Sequence, residues 1–499
     1  MEGLLLLVAI LLPAVGSLMV VFMPWLNETR EDRCGFVGAI MVMECIVVLL
    51  IALDAERTLV LFEMTKQLPI ALRSDGTSRI FSAIMALMWT ISGFYSFSYM
   101  KHEQNEKTYY AFYLMTLASL MALTLSGTMV TMYLFFEMMT FISMPMVLHN
   151  RTKEAVAAGI KYLIYSVAGA TMGLLGIFML TPNIASPYFV EGGSLMTQSL
   201  TIPHTAFQII LLVTLIGFGT KAGMFPMHGW LPTAHPVAPS PASAVLSGVI
   251  TKAGVLCIFR MIFYVIGPEY LKDTWVQWTL LGCATITVFM GSMLALREKS
   301  LKKRLAYSSV SQVSYVLCGV FLLDAMALDG ALLQMVFHAL TKDALFLCAG
   351  AVILQTGITR VDEMHNLGKS MPWTMWMFTI CAISLVGIPP LGGFIAKWYI
   401  AEGALVSGTN VFSWLVPIVL LISAMLTAAY LLPPSVSAFF GGMAHGEVDS
   451  ALKVKADPSK MMLVPIFILT LAIFILGVFP GFMINLFDQL GNTLLKGVL

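Results

Sequence analysis

A chain of 499 residues that is 59% hydrophobic and only 11% charged is not an ordinary soluble protein, because soluble domains carry about 25% charged residues. The composition is that of a multi-spanning, all-α integral membrane protein. A net charge of +1 says nothing about partners and gives no support to a basic nucleic-acid-binding surface, and none of the seven cysteines forms a C-x-x-C pair. An Fe–S cluster needs four suitably placed thiolates, so no metal, no cofactor and no catalytic redox group is expected in this chain.

The N-terminal run MEGLLLLVAILLPAVGSLMVVFM lacks a basic n-region, and its apolar stretch is too long for a signal peptide. It reads as the first of about 14 transmembrane segments, each judged by length against a rise of about 1.5 Å per residue. The segments lie near 3–24, 35–53, 78–99, 108–126, 128–148, 155–180, 205–227, 240–266, 274–296, 303–323, 328–356, 372–402, 411–434 and 461–487. Residues 1–499 are expected to form a single membrane domain, with no soluble domain.

Three connections stand out. Residues 54–77 are too polar to span, and Asp75-Gly76 is a turn signal, so a small external hairpin is expected. Residues 181–204, with Thr181-Pro182 and Gly192-Gly193, read as a second external loop. Residues 433–460, with Pro433-Pro434 and Gly441-Gly442, read as a cytoplasmic connection. Lysines and arginines near the loops concentrate on one side, with the run REKSLKKR at 297–304 as the strongest anchor, read as solvated charge. This bias places both termini outside. Asp324 and Asp329 are expected to be solvated at an external turn.

Lys221 sits inside an apolar segment that Pro226 interrupts, and Lys252 sits near the middle of the next one. A charge at mid-bilayer costs roughly 2.5–3.5 kcal/mol on the mildest scales, so such residues read as an ion pathway. Segment 12 is broken in the same manner at Gly387-Ile388-Pro389-Pro390-Leu391-Gly392-Gly393, with Lys397 just beyond. Two broken helices five segments apart point to two inverted five-helix repeats, about 108–266 and 274–434. Glu137 lies mid-segment, with only Tyr133 and Thr140 within a turn to bond it. Unpaired, it would take up a proton; a buried cation would keep it ionised. His338 and Lys342 stand at i and i+4, on one helix face. Thr251 and the small residues around Lys252 leave room for water.

The string Lys221-Ala222-Gly223-Met224-Phe225-Pro226-Met227-His228-Gly229-Trp230-Leu231-Pro232, followed by Ala234-His235, Ala238-Pro239-Ser240-Pro241 and Leu246-Ser247-Gly248, closely resembles a family signature. The family is that of the antiporter-like, proton-translocating membrane subunits of complex I, membrane-bound hydrogenases and Mrp cation/proton antiporters. The likeness extends from about Asp75 to Trp398. It implies an ion pair between Glu137 and Lys221, relay roles for Lys252, His338 and Lys342, and a terminal exit role for Lys397. His228 and His235 could line the point where protons come in. Asp343 departs from the pattern, which has a small residue there; it either offers a second carboxylate or pairs with Lys342.

The resemblance further implies a bacterial or archaeal-type cytoplasmic membrane and other membrane subunits as partners. Protons are the cargo, with Na+ added under the antiporter reading. Three readings stay open at this point: a pump subunit in a redox-driven assembly, a D-type subunit of an Mrp Na+/H+ antiporter, or a non-conducting structural subunit. Met224, Met227 and His228 belong to the signature and are not read as metal ligands.

Overall fold

The computed structural model describes residues 3–440 and 457–495. The first half contains α1 (Leu4–Phe22), α2 (Arg30–Leu53), α3 (Gly76–Tyr99), α4 (Glu106–Thr124), α5 (Met129–Val147), α6 (Lys153–Leu180), α7 (His204–Ala222) and the short α8 (Leu231–Val237). Next comes a continuous helical rod, α9 (Ser240–Ile266), interrupted by π-helical stretches. The second half contains α10 (Trp275–Arg297), α11 (Leu301–Phe321), α12 (Ala325–Thr356), α13 (Pro372–Val386), α14 (Gly392–Val406), α15 (Phe412–Phe440), α16 (Lys460–Val478) and α17 (Gly481–Leu494). Among the described residues, 11 helices are long and apolar enough to cross a membrane.

The expected spans outside that group have physical reasons to differ. α4 carries many hydroxyl side chains, α11 carries serines, Gln312 and three cations in its first turn, and most of the length of both is buried against neighbouring helices. A helix without a lipid-facing side does not need an all-apolar surface. α13 and α14 are the two halves of the broken twelfth segment, and each is short. Burial grades from the rim to the middle. The apolar window of α1 is 33% buried, that of α12 is 89% buried and that of α9 is fully buried.

The polar segment after α2 forms a hairpin of β1 (Arg57–Glu63) and β2 (Pro69–Ser74), paired antiparallel from Arg57↔Ser74 to Glu63↔Pro69 with a bulge between Val60 and Phe62. β2 continues onto the α4–α5 turn, where the Gly127 amide donates to the Ala71 carbonyl at 2.9 Å. Asp75 then caps α3: its carboxylate accepts from the Ser78 amide, and the Ser78 hydroxyl bonds back, a capping box.

Three expectations need correction. Pro433-Pro434 do not open a loop, because α15 runs through them to Phe440; Gly441-Gly442 lie outside the described residues. The cations at 297–304 are not all solvated. Lys302 and Arg304 are buried at the start of α11, where Lys302 Nζ donates to the Ala238 carbonyl at 2.5 Å and Arg304 donates to the Glu298 and Tyr430 carbonyls. Lys302 satisfies the carbonyl at the end of α8, as cations commonly do at helix C-termini, whereas Arg304 bonds the Tyr430 carbonyl, whose helical partner four residues on, Pro434, has no N–H to offer. Asp329 is buried on α12 with one carboxylate oxygen unpartnered, whereas Asp324 caps the N-terminus of that helix.

Small residues let the central helices approach closely. A Cβ added at Gly254 of α9 would lie 2.6 Å from the Ala222 nitrogen and 2.8 Å from Lys221 Cβ. Gly254→Val is therefore expected to push α9 off α7, destabilising the chain by about 1–3 kcal/mol, the usual cost of overpacking. The check is the thermal unfolding midpoint in detergent. An unchanged midpoint would mean that the two helices are not held at this distance.

Candidate functional site

Both broken helices are built alike. α7 ends at Gly223, with φ +77°, and α13 ends at Gly387, with φ +91°. A left-handed residue terminates a helix readily when it is glycine, which has no Cβ to clash. Phe225–Pro226 and Pro389–Pro390, the proline bonds within the two breaks, are both cis.

Lys221 lies in the last turn of α7, fully buried. Its Nζ donates to Tyr162 Oη at 2.8 Å and to Ser166 Oγ at 2.9 Å, both on α6. It also sits 4.1 Å from the centre of the Tyr162 ring, a cation–π distance. The expected ion pair with Glu137 is absent as a direct contact. Glu137 is half-buried on α5, where its Oε1 accepts from Tyr133 Oη at 3.4 Å and its Oε2 has no partner. The two charges still attract each other at longer range.

Lys252 lies two residues past the π-helical stretch Leu246–Ile250. Its Nζ donates to the Ser247 carbonyl at 2.8 Å and lies 2.6 Å from His338 Nδ1. An ammonium only donates, so with Lys252 charged Nδ1 accepts and the ring hydrogen resides on Nε2. Nε2 is buried without a partner. Lys342, one turn further along α12, points toward α11 and donates to the Leu305 carbonyl at 3.0 Å and to the Ser308 hydroxyl. Asp343 does not pair with Lys342; its Oδ2 accepts from Ser92 on α3 at 3.1 Å.

Lys397, on α14, reaches back to the end of α13 and donates to the Leu385 and Val386 carbonyls at 2.5 and 2.9 Å. These are carbonyls that the helix end leaves unbonded, and a cation there also meets the negative end of the helix dipole. A narrow gap lined by His338, Thr341, Ser384, Gly393 and Lys397, among others, lies between His338 and Lys397. Lys221, Lys252, His338, Lys342 and Lys397 thus lie on the neighbouring helices α7, α9, α12 and α14. His235 is buried on α8, stacked 4.8 Å from Phe346 with both ring nitrogens unpartnered; His228 is half-buried against Phe225.

Sequence reasoning missed three features. The first is a serine seam on α11, in the run Tyr307-Ser308-Ser309-Val310-Ser311-Gln312-Val313-Ser314. Ser309 Oγ lies 2.6 Å from Ser247 Oγ, and Ser308 holds Lys342, so the seam joins the surroundings of Lys252 and Lys342. Four serine hydroxyls in this one short run of an apolar segment were the available signal. The second is Arg260, which makes a bidentate ion pair with Asp75 at 2.6 and 2.8 Å deep in the structure. The third is Glu44, fully buried on α2 with neither carboxylate oxygen bonded.

The family model described as "NADH:quinone oxidoreductase/Mrp antiporter, TM" matches residues 126–427. The chain is 32% identical over 386 residues to NADH-quinone oxidoreductase subunit N of Desulforudis audaxviator, covering 75% of each chain. It is 27% identical over 497 residues to the D subunit of the Na(+)/H(+) antiporter of Bacillus subtilis, covering 98% of this chain and 96% of that one. Its fold matches a chain in the structure of the membrane-bound sulfane sulfur reductase, an archaeal respiratory membrane complex, with a TM-score of 0.84 at 22% identity over 99% of both chains. With the matched region holding all of Glu137, Lys221, Lys252, His338, Lys342 and Lys397, this multi-pass integral membrane protein belongs to the NADH:quinone oxidoreductase/Mrp antiporter membrane-subunit family.

Proposed function

We propose that the chain is the proton-translocating membrane subunit of a redox-driven assembly of complex I or membrane-hydrogenase type, with the redox centres in partner subunits. In this reading it crosses a bacterial or archaeal-type cytoplasmic membrane about 14 times, as the segment lengths suggest, with both termini outside. Residues 108–266 and 274–434 form the two inverted repeats.

The observation that carries the reading is the row of buried, ionisable side chains along the broken helices, held almost entirely by neutral oxygen acceptors and a ring nitrogen. Intramembrane ionisable residues lining one interior path are functional by default. Glu137 biases whether Lys221 holds its proton. Lys221 hands the proton toward Lys252, Lys252 passes it to His338, His338 passes it across the gap to Lys397, and Lys397 releases it. Lys342 and the serine seam flank the centre of the row, and His228 and His235 border the side from which protons come in. Glu137→Ala is expected to lower proton transport at least about tenfold, the effect of a 1.4 kcal/mol change in coupling, while assembly is retained. Full transport in an assembled variant would remove Glu137 from the path.

The nearly full-length match to an antiporter D subunit favours a second reading, a D-type subunit of a multi-subunit Na+/H+ antiporter. The row of side chains would be the same, driven by an ion gradient instead of a redox reaction. Purification of the chain with its native partners, followed by mass spectrometry and iron analysis, separates the two. Iron with large soluble subunits is expected for the redox-driven assembly. A set of small membrane subunits without iron would overturn that assignment in favour of the antiporter.

A further inference from the structure

Among the described residues, Asp343 is the one carboxylate bordering the middle of this row, and the relay as described does not use it. It is fully buried on α12. Its Oδ2 is fixed by the Ser92 hydroxyl of α3, and its Oδ1 has no hydrogen-bond partner. Oδ1 lies directly against the backbone of the π-helical stretch of α9, since a Cβ added at Gly248 would collide with it. Gly248 is one turn before Lys252, so carboxylate and lysine address the same strip of α9. Asp343 is the attractive charge that Lys252 senses, and Lys252 is the one that Asp343 senses. The other titratable neighbours of the pair and of His338 are Lys342, which is turned away to α11, Lys397 of α14, which faces His338, and Tyr113 of α4, whose hydroxyl donates to the Trp89 carbonyl.

An unbonded, buried carboxylate oxygen is costly unless something satisfies it part of the time. Lys252 is the flexible cation within its field, and π-helical turns recur at functional sites. We propose that Asp343 is the counter-ion of Lys252, and that the lysine alternates between the free Oδ1 of Asp343 and His338 Nδ1. This rests on the relay reading above. On the carboxylate, the ammonium keeps its proton as an ion pair. On the histidine, the arrangement present in the structure, the proton passes from Nζ to Nδ1, leaving a neutral amine and an imidazolium. The imidazolium then loses its Nε2 proton toward the gap bordered by Lys397. The ring, left with its hydrogen on Nδ1, returns it to Nε2 and the Lys252 amine takes up a new proton before the next transfer; no electron or other bond changes hands.

The test uses the native assembly in proteoliposomes, with proton uptake driven by a potassium gradient and valinomycin, so that one driver serves both readings of function. D343N keeps the size of the side chain and an oxygen for Ser92 but removes the charge. The alkaline limb of the pH–rate profile is expected to move toward acid by about one pH unit or more. G248A leaves the carboxylate ionisable but forces Oδ1 aside, and is expected to move the limb the same way; it carries the test should D343N not assemble. A profile unchanged in these variants, with transport lost in K252A, would overturn the counter-ion role and leave the relay standing. Wild-type transport in K252A would overturn the relay, and this proposal with it.

Discussion

Lys221→Ala is expected to abolish proton transport while leaving the chain folded and assembled. The two halves of this expectation have separate causes. The ammonium is held by two hydroxyls and an aromatic face, not by a carboxylate. Its removal therefore breaks no direct ion pair, since Glu137 is half-buried and out of contact with it, and Tyr162 keeps its bond to Ser143 at 2.7 Å. Burying a lone charge is itself unfavourable, which offsets much of the lost cation–π attraction, worth about 2 kcal/mol when desolvated. Transport instead loses a group that must take up and release a proton. Removing a positioned proton-transfer group costs about a hundredfold or more in rate. Lys221→Arg should be equally inactive, because a guanidinium keeps its proton under all physiological conditions. Proton uptake by proteoliposomes, normalised to assembled protein, measures this. An active Lys221→Arg would mean that charge alone, and not proton exchange, is needed there.

The second large effect falls on assembly. Arg260 and Asp75 are both buried, the guanidinium 4.4 Å from the centre of the Tyr264 ring and 5.1 Å from that of Phe189. The pair ties α9 to the N-terminus of α3, where Asp75 is also the cap. Arg260→Ala leaves that buried carboxylate only the looser contact with Arg73 at 3.7 Å and its bonds from Ser78, and breaking a buried pair from one side costs about 3–5 kcal/mol. The expected result is loss of most folded protein on size-exclusion chromatography in detergent. Combining Arg260→Met with Asp75→Asn should restore much of it, because asparagine still caps a helix and no lone charge remains. Normal yield from Arg260→Ala alone would show that the pair is dispensable for folding.

Much of this was legible in the sequence, for a physical reason. A lysine in an apolar segment and a Pro/Gly cluster inside a spanning length are both anomalies of local composition. Lys221, Lys252, Lys397 and the two breaks announced themselves in that way. What stayed hidden depends on neighbours. Asp329 reads as a loop residue until α17 covers it, and Lys302 and Arg304 read as solvated until the end of α8 and the proline-freed Tyr430 carbonyl of α15 come to meet them. The span count suffers from the same blindness, since α4 and α11 are too polar by composition yet lie mostly where lipid does not reach. Glu137 and Lys221 show the opposite failure: a pairing inferred from resemblance is looser in the structure than a direct contact. Asp343 stood out only as a departure from pattern, and its relation to Ser92 and Gly248 needed three helices brought together.

The neutral character of the acceptors around Lys221, Lys342 and Lys397 has an electrical consequence. Each proton loaded there deposits positive charge that no directly bonded anion cancels, so the row behaves like the plate of a capacitor buried within the membrane. Its filling must then respond to voltage as well as to proton concentration. Carrying one elementary charge through the whole field is worth about 2.3 kcal/mol per 100 mV, equivalent to more than a tenfold change in proton activity. A partner that shifted the field locally, without touching any residue of the row, would therefore be able to load or empty it.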